Sequence, residues 1–200
     1  MTETPISTIM RIAKEKQVIR PRDLAAEGIP RTYLRRLVDK GLLVRTARGI
    51  YMTPDADVTE LHDFAEAARQ VPKGVICLLS ALRFHDLTTQ NPFEVWMAIG
   101  ESQWKPRIEY PAIRFVRFSG TALEYGVEQH EIEGVLAHVY SPAKTVADCF
   151  KYRNKIGLDV ALEALRDCWR QRKATMDQIW AAAKVCRVAN VMRPYLESLT

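Results

Sequence analysis

Between residues 6 and 16, apolar side chains recur at Ile6, Ile9, Met10 and Ala13, a helical spacing. A second, short helix is predicted over Pro21–Glu27, where Pro21 suits a first helical turn and Gly28 a left-handed stop. Ile29 and Pro30 bridge to a third helix, Arg31–Lys40, which Gly41 ends. At 100° per residue Leu34, Leu37 and Val38 share one face of this helix, with Tyr33 at its edge. The opposite face presents Thr32, Arg35, Arg36 and Asp39, with Arg31 at the leading end. Two strand-like runs follow, Leu42–Thr46 and Gly49–Thr53, and Ala47-Arg48 between them makes a hairpin natural. Helix, tight turn, helix and then a basic hairpin predict a winged helix-turn-helix. Arg45 and Arg48 sit at or near the tip of the wing.

Pro54-Asp55-Ala56-Asp57 breaks the pattern, so the expected organisation is an N-terminal domain of residues 1–57 and a C-terminal domain of residues 58–200. In the second domain Leu61, Phe64, Ala65 and Ala68 form a helical stripe that ends at Pro72-Lys73-Gly74. Val75–His85 reads as one buried helix, nearly all apolar. Strands are predicted at Glu94–Ile99, Ile113–Phe118 and Val135–Tyr140. Ser141-Pro142 opens a capped helix with Val146, Cys149 and Phe150 inward. Leu158, Ala161, Leu162, Leu165, Cys168 and Trp169 keep helical spacing through the next. Thr175-Met176-Asp177-Gln178 is a capping box that opens a third, with Trp180 and Ala183 inward, and a last short helix starts near Val188. The fold class expected is α+β: an N-terminal winged helix-turn-helix, then a C-terminal mixed domain of a small sheet packed with helices.

Charge sharpens this reading. The 200 residues carry a net +5, and residues 1–57 hold eleven basic against seven acidic side chains, leaving only +1 for the rest. A basic N-terminal third suits a polyphosphate partner. The recognition helix of such a motif meets base edges mainly through its N-terminal residues, and arginine donates two bonds to guanine or grips a phosphate. A solvated amphipathic helix is the plain alternative. A second basic group, Lys105, Arg107 and Arg114, gathers around the Ile113–Phe118 strand and is a candidate for a secondary backbone contact with DNA, or for solvated charge.

Other chemistry is sparse. The 48% hydrophobic and 26% charged fractions are those of an ordinary globular chain. No apolar run approaches the roughly 18 residues of a membrane helix, and Met1-Thr2-Glu3-Thr4-Pro5 lacks the build of a signal peptide. The expected location is therefore the cytoplasm, with no membrane partner. Cys77, Cys149, Cys168 and Cys186 form no C-x-x-C pair and read as buried thiols, with zinc or a disulfide as alternatives. His62, His85, His130 and His138 lie in no metal box, and no nucleophile or phosphate-loop motif is present. His85-Asp86 suggests a base but reads better as a structural histidine. Ser80 reads as a packed hydroxyl. Lys144, Thr145, Asp148, Lys151 and Arg153 suit either an anion site or a solvated helix face with pairs such as Lys144–Asp148. No catalytic residue, metal or cofactor is expected.

Three stretches in order resemble the AbiEi antitoxins of bacterial abortive-infection operons: Arg48-Gly49-Ile50-Tyr51 at the end of the wing, Leu79-Ser80-Ala81-Leu82-Arg83-Phe84-His85-Asp86-Leu87-Thr88, and Tyr140-Ser141-Pro142-Ala143-Lys144-Thr145-Val146-Ala147-Asp148. The resemblance implies a transcriptional autorepressor that binds inverted repeats in double-stranded DNA of its own promoter. It also implies an antitoxin without catalytic activity that counters a cognate nucleotidyltransferase toxin, often without a stable complex, in phage defence. DNA reading then falls on Arg31, Thr32, Arg35 and Arg36, with Arg45 and Arg48 in the wing, and the antitoxin role on residues 58–200. Two other readings stay open: a stand-alone regulator whose C-terminal domain senses a ligand or a protein, and a phosphotransferase acting on the toxin.

Overall fold

The structure, a computed structural model, describes residues 4–16, 18–47, 49–54, 61–108 and 110–199. The chain divides into two compact units, Met1–Thr59 and Glu60–Thr200. The expected linker Asp55-Ala56-Asp57 lies outside the described residues.

The first unit runs α1 (Pro5–Lys16), β1 (Val18–Ile19), α2 (Pro21–Ala26), α3 (Thr32–Asp39), β2 (Val44–Ala47) and β3 (Ile50–Met52). The buried stripe of α1 is Ile9, Ile12 and Ala13, whereas Ile6 is exposed and Met10 half-buried. Asp23 fastens the start of α2 by accepting the Arg20 N–H at 2.8 Å. The α2–α3 turn closes where the Ile29 N–H donates to the Leu24 carbonyl at 2.9 Å while Gly28 takes a φ of +67°. β3 lies between β1 and β2, antiparallel to both. The two-residue β1 was not expected, because so short a run has no period of its own. Ile9, Ile12, Ala13, Ile19, Leu24, Leu34, Leu37 and Leu43 form a continuous core. Three helices and a small antiparallel sheet in this order are compatible with a winged helix-turn-helix.

The second unit begins with α4 (His62–Gln70), β4 (Val75–Ile76), α5 (Leu78–Phe84), β5 (Val95–Gly100), β6 (Ile113–Phe118), α6 (Thr121–Glu124), β7 (Val127–Ile132) and β8 (Val135–Tyr140). It continues all-helical through α7 (Pro142–Lys151), α8 (Arg153–Ile156), α9 (Leu158–Arg170), α10 (Met176–Val185) and α11 (Ala189–Glu197). The sheet order is β6-β5-β4-β8-β7, with β5–β6 and β4–β8 parallel and the other pairs antiparallel. One face, through Ile76, Met97, Ile99, Ala137 and Val139, packs on Phe64, Ala65 and Ala68 of α4. The other, through Trp96, Ala98, Phe118 and Tyr140, packs on α7, α9, α10 and α11.

Three expectations are corrected here. Val75–His85 is not one helix: Val75 and Ile76 form the central strand, and the helix starts at Leu78. A strand covered on both faces is as uniformly apolar as a buried helix, so period alone does not separate them. β7 was missed because its sequence, Val-Glu-Gln-His-Glu-Ile, is mostly polar, as an edge strand permits. The hairpin signal lay in Glu133-Gly134, where both residues have positive φ between the paired Ile132 and Val135. On α9 the buried stripe is Val160, Ala161, Ala164, Leu165 and Cys168, leaving Leu158 and Trp169 exposed at its ends.

Candidate nucleic-acid interface

Helix α3 separates its side chains by chemistry. Leu34 and Leu37 are 1% exposed and Val38 and Tyr33 partly buried, all packed into the first unit's core. The hydrophobic spacing that anchors this face turns Thr32, Arg35 and Arg36 outward, and all three are exposed. Arg31 is the N-cap residue, also exposed, and Lys40 the C-cap. The guanidinium of Arg36 stands 5.5 Å from the Tyr33 ring, which limits its freedom without covering its donors. Asp39 is the acidic residue on this helix, so its exposed surface is net basic.

The β2–β3 hairpin follows directly. Arg45 is exposed on β2 and pairs in register with Tyr51. The register shifts between Arg45 and Ala47, an irregularity in the β2–β3 ladder. Arg48, expected at that tip, lies outside the described residues. Arg31, Thr32, Arg35 and Arg36 therefore share one helical segment, and Arg45 belongs to the strand after it.

The second basic group does not form one surface. Arg114 ion-pairs with Glu94 at 2.5 Å and lies 4.6 Å from the Trp96 ring. Lys105 lies 5.6 Å from the ring of Phe115, the next residue along β6, whose side chain points to the opposite side of the strand. Lys105 and Arg107 line a hollow with Ile108, Ile113 and Phe115.

The capped helix α7 corrects another expectation. Ser141 caps it, its hydroxyl accepting the Lys144 N–H. Lys144, Thr145 and Asp148 are not solvated: they are 0%, 0% and 1% exposed. Lys144 Nζ donates to Asp148 Oδ2 at 2.5 Å and lies 4.1 Å from the Tyr140 ring and 4.7 Å from the Phe118 ring. Asp148 also accepts from Cys186 Sγ at 3.2 Å. Burial pushes the Asp148 carboxyl up while Lys144 beside it pulls it back. The signal was in the sequence: apart from this pair, Ala143–Phe150 holds only small or apolar residues around the whole helix, the composition of a central one.

Of the remaining candidates, His85 and Ser80 have structural partners. His85 Nε2 donates to the Tyr140 carbonyl at 2.7 Å, and burial lowers its pKa, keeping it neutral. Ser80 Oγ accepts the Trp96 N–H at 2.9 Å. All four thiols are buried, and burial pushes Cys168 up to about 11 and Cys186 up to about 12, which leaves them protonated and poorly nucleophilic. Among the described residues no helix is long and apolar enough to cross a membrane.

The comparisons with known proteins divide along the chain. No curated protein sequence matches it. Among solved structures, the crystal structure of the RV2827C protein from Mycobacterium tuberculosis is similar with a TM-score of 0.58 at 11% identity, covering 98% of this chain and 78% of that one. That likeness is one of fold. The family match covers the segment that carries α3 and the hairpin, and the two downstream motifs lie beyond it. Residues 7–54 match the family model for a transcriptional regulator, AbiEi antitoxin, which is the family that the three sequence motifs resemble.

Proposed function

We propose that this chain is a DNA-binding transcriptional autorepressor that also acts as an antitoxin. The observation that carries the reading is the exposed basic face of α3, Arg31, Thr32, Arg35 and Arg36, set on a helix whose other face is locked into a core. In the reading, α3 enters the major groove as the recognition helix of a winged helix-turn-helix, and Arg45 and Arg48 in the wing reach backbone or minor groove. The family match over residues 7–54 supports the regulatory half. Lys105 and Arg107 are the better-placed part of a secondary backbone contact, since Arg114 is engaged by Glu94.

The antitoxin half follows from the resemblance: residues 58–200 counter a nucleotidyltransferase toxin, without catalysis by this chain. The DNA reading is tested by fluorescence anisotropy on a duplex from upstream of the chain's own gene. Replacing Arg35 and Arg36 by alanine is expected to cost about 1–3 kcal/mol per arginine that reads a base, and to spare the fold. Unchanged operator affinity in the double variant would overturn the assignment. Co-expression with a nucleotidyltransferase encoded beside it tests the other half, and growth without rescue removes the antitoxin role.

A further inference from the structure

The second unit holds a basic pocket for which DNA recognition by α3 has no use. Three elements build it. The turn from β6 into α6 supplies Ser119, Gly120 and Thr121; the last turn of α7 supplies Lys151; and the end of α10 supplies Lys184 with Arg187 just beyond. The hollow measures about 560 Å³, within the size range of small-ligand sites. Among the described residues no carboxylate lines it. Lys151, Lys184 and Arg187 are exposed, and among the described residues none of the three is ion-paired.

The convergence is built into the core. The Cys186 thiol, between Lys184 and Arg187, donates to Asp148, one turn before Lys151 on α7. This bond, beside the core that α7 and α10 share, ties together the two helix ends that carry the three cations. Arg187 is placed there at a backbone cost: its φ is +59°, a conformation in which glycine is the favoured residue after a helix end. Lys151 and Lys184, in the last turns of their helices, also complement the helix dipoles. That role asks for no common pocket and no Arg187.

We propose that this pocket binds the charged end of a small di- or triphosphate ester. Three cations without ion-pair partners match its several negative charges, and the Ser119 and Thr121 hydroxyls add neutral donors to phosphoryl oxygens. The hollow form favours a terminal phosphate over a phosphodiester held between sugars in a duplex. The inference is independent of the DNA reading of α3.

The test is isothermal titration calorimetry on the full chain with pyrophosphate, ATP, adenosine and a duplex of unrelated sequence. Pyrophosphate and ATP are expected to bind with an affinity that falls as salt is raised, and adenosine not to bind. Lys184→Gln and Arg187→Gly are each expected to weaken ATP by about fivefold or more, and the triple variant with Lys151→Gln to abolish it, with operator affinity unchanged. Arg187→Gly relieves its own backbone strain, so it carries the test even where the triple variant fails to fold. No binding of pyrophosphate or ATP at millimolar concentration overturns the proposal. So does equal binding by wild type and Arg187→Gly, and so does displacement of ATP by the unrelated duplex at stoichiometric amounts, which would make the pocket a nucleic-acid contact.

Discussion

At the scale of single residues, the Lys144–Asp148 pair is the most consequential feature of the second unit. Both side chains are out of water, so each depends on the other for compensation of its charge, and two aromatic rings and a thiol supply the rest. Lys144→Met leaves Asp148 buried beside a thiol and is expected to cost about 3–5 kcal/mol in urea unfolding. Adding Asp148→Leu removes the stranded charge and is expected to recover much of that loss; a double variant no more stable than Lys144→Met would mean that the pair is not what holds α7. His85 gives a second expectation. Its ordinary pKa is near 6.5, and burial lowers it in the folded chain, while the Tyr140 carbonyl opposes the shift. The unfolded chain therefore takes up a proton at a higher pH than the folded one. This contribution to stability is complete above the ordinary value and is lost as pH falls below it, toward the folded pKa. Unfolding free energies measured across that range should fall with acid in the wild type and fall less in His85→Gln, whose amide keeps a donor for the Tyr140 carbonyl. Parallel curves would show that His85 does not titrate on unfolding.

At the scale of elements, two glycines with nearly the same φ make different predictions. Gly28 has a φ of +67° and open space where a Cβ would stand, so Gly28→Ala should cost only the backbone term, about 1–2 kcal/mol. Gly126 has a φ of +71°, and a Cβ there would come within 2.8 Å of Lys144 Cβ and 2.9 Å of Ser141 Oγ. Gly126→Ala should cost clearly more, because it presses on the cap of α7 and on the buried lysine; equal losses in thermal melts would discount that packing. The same elements show what was legible. The stripe Leu34, Leu37 and Val38 disclosed α3 and, by subtraction, the candidate DNA-facing residues, because a one-sided helix writes its orientation into its period. The Thr175–Gln178 box likewise announced α10 and is formed, with Gln178 N–H donating to Thr175 Oγ1 at 3.2 Å. β1 and β4 were illegible, at two residues each too short to show a period, and β4 owes its place to partners distant in sequence, Ala98 and His138. The burial of Lys144 was legible only indirectly: an i,i+4 pair looks the same on a wet face as in a core, and the signal lay in the small and apolar residues around it on α7, while Phe118, Tyr140 and Cys186 complete its surroundings from distant parts of the chain.

At the scale of the molecule, charge and hydrophobic packing divide the chain at nearly the same place. Most of the net +5 belongs to residues 1–57, and Ile9 through Leu43 form a core within the first unit. The second unit buries two larger clusters of its own on the two faces of its sheet. A unit of under 60 residues has little stability to spare, whereas one of about 140 buries a larger share of its surface. Two cores of such different size should not melt as one. Leu34, 1% exposed, packs in the small core, and Leu34→Ala is expected to cost about 2–5 kcal/mol, enough to unfold the first unit alone. Differential scanning calorimetry of the wild type should then show the smaller transition at the lower temperature. Leu34→Ala should remove it, leave the larger transition where it was, and abolish operator binding. It should leave the binding of pyrophosphate intact, because Lys151, Lys184 and Arg187 belong to the unit that stays folded. A single transition that shifts as a whole in Leu34→Ala would show that the two units unfold together, and the proposed regulatory and ligand-binding roles would then have no independent footing in the fold.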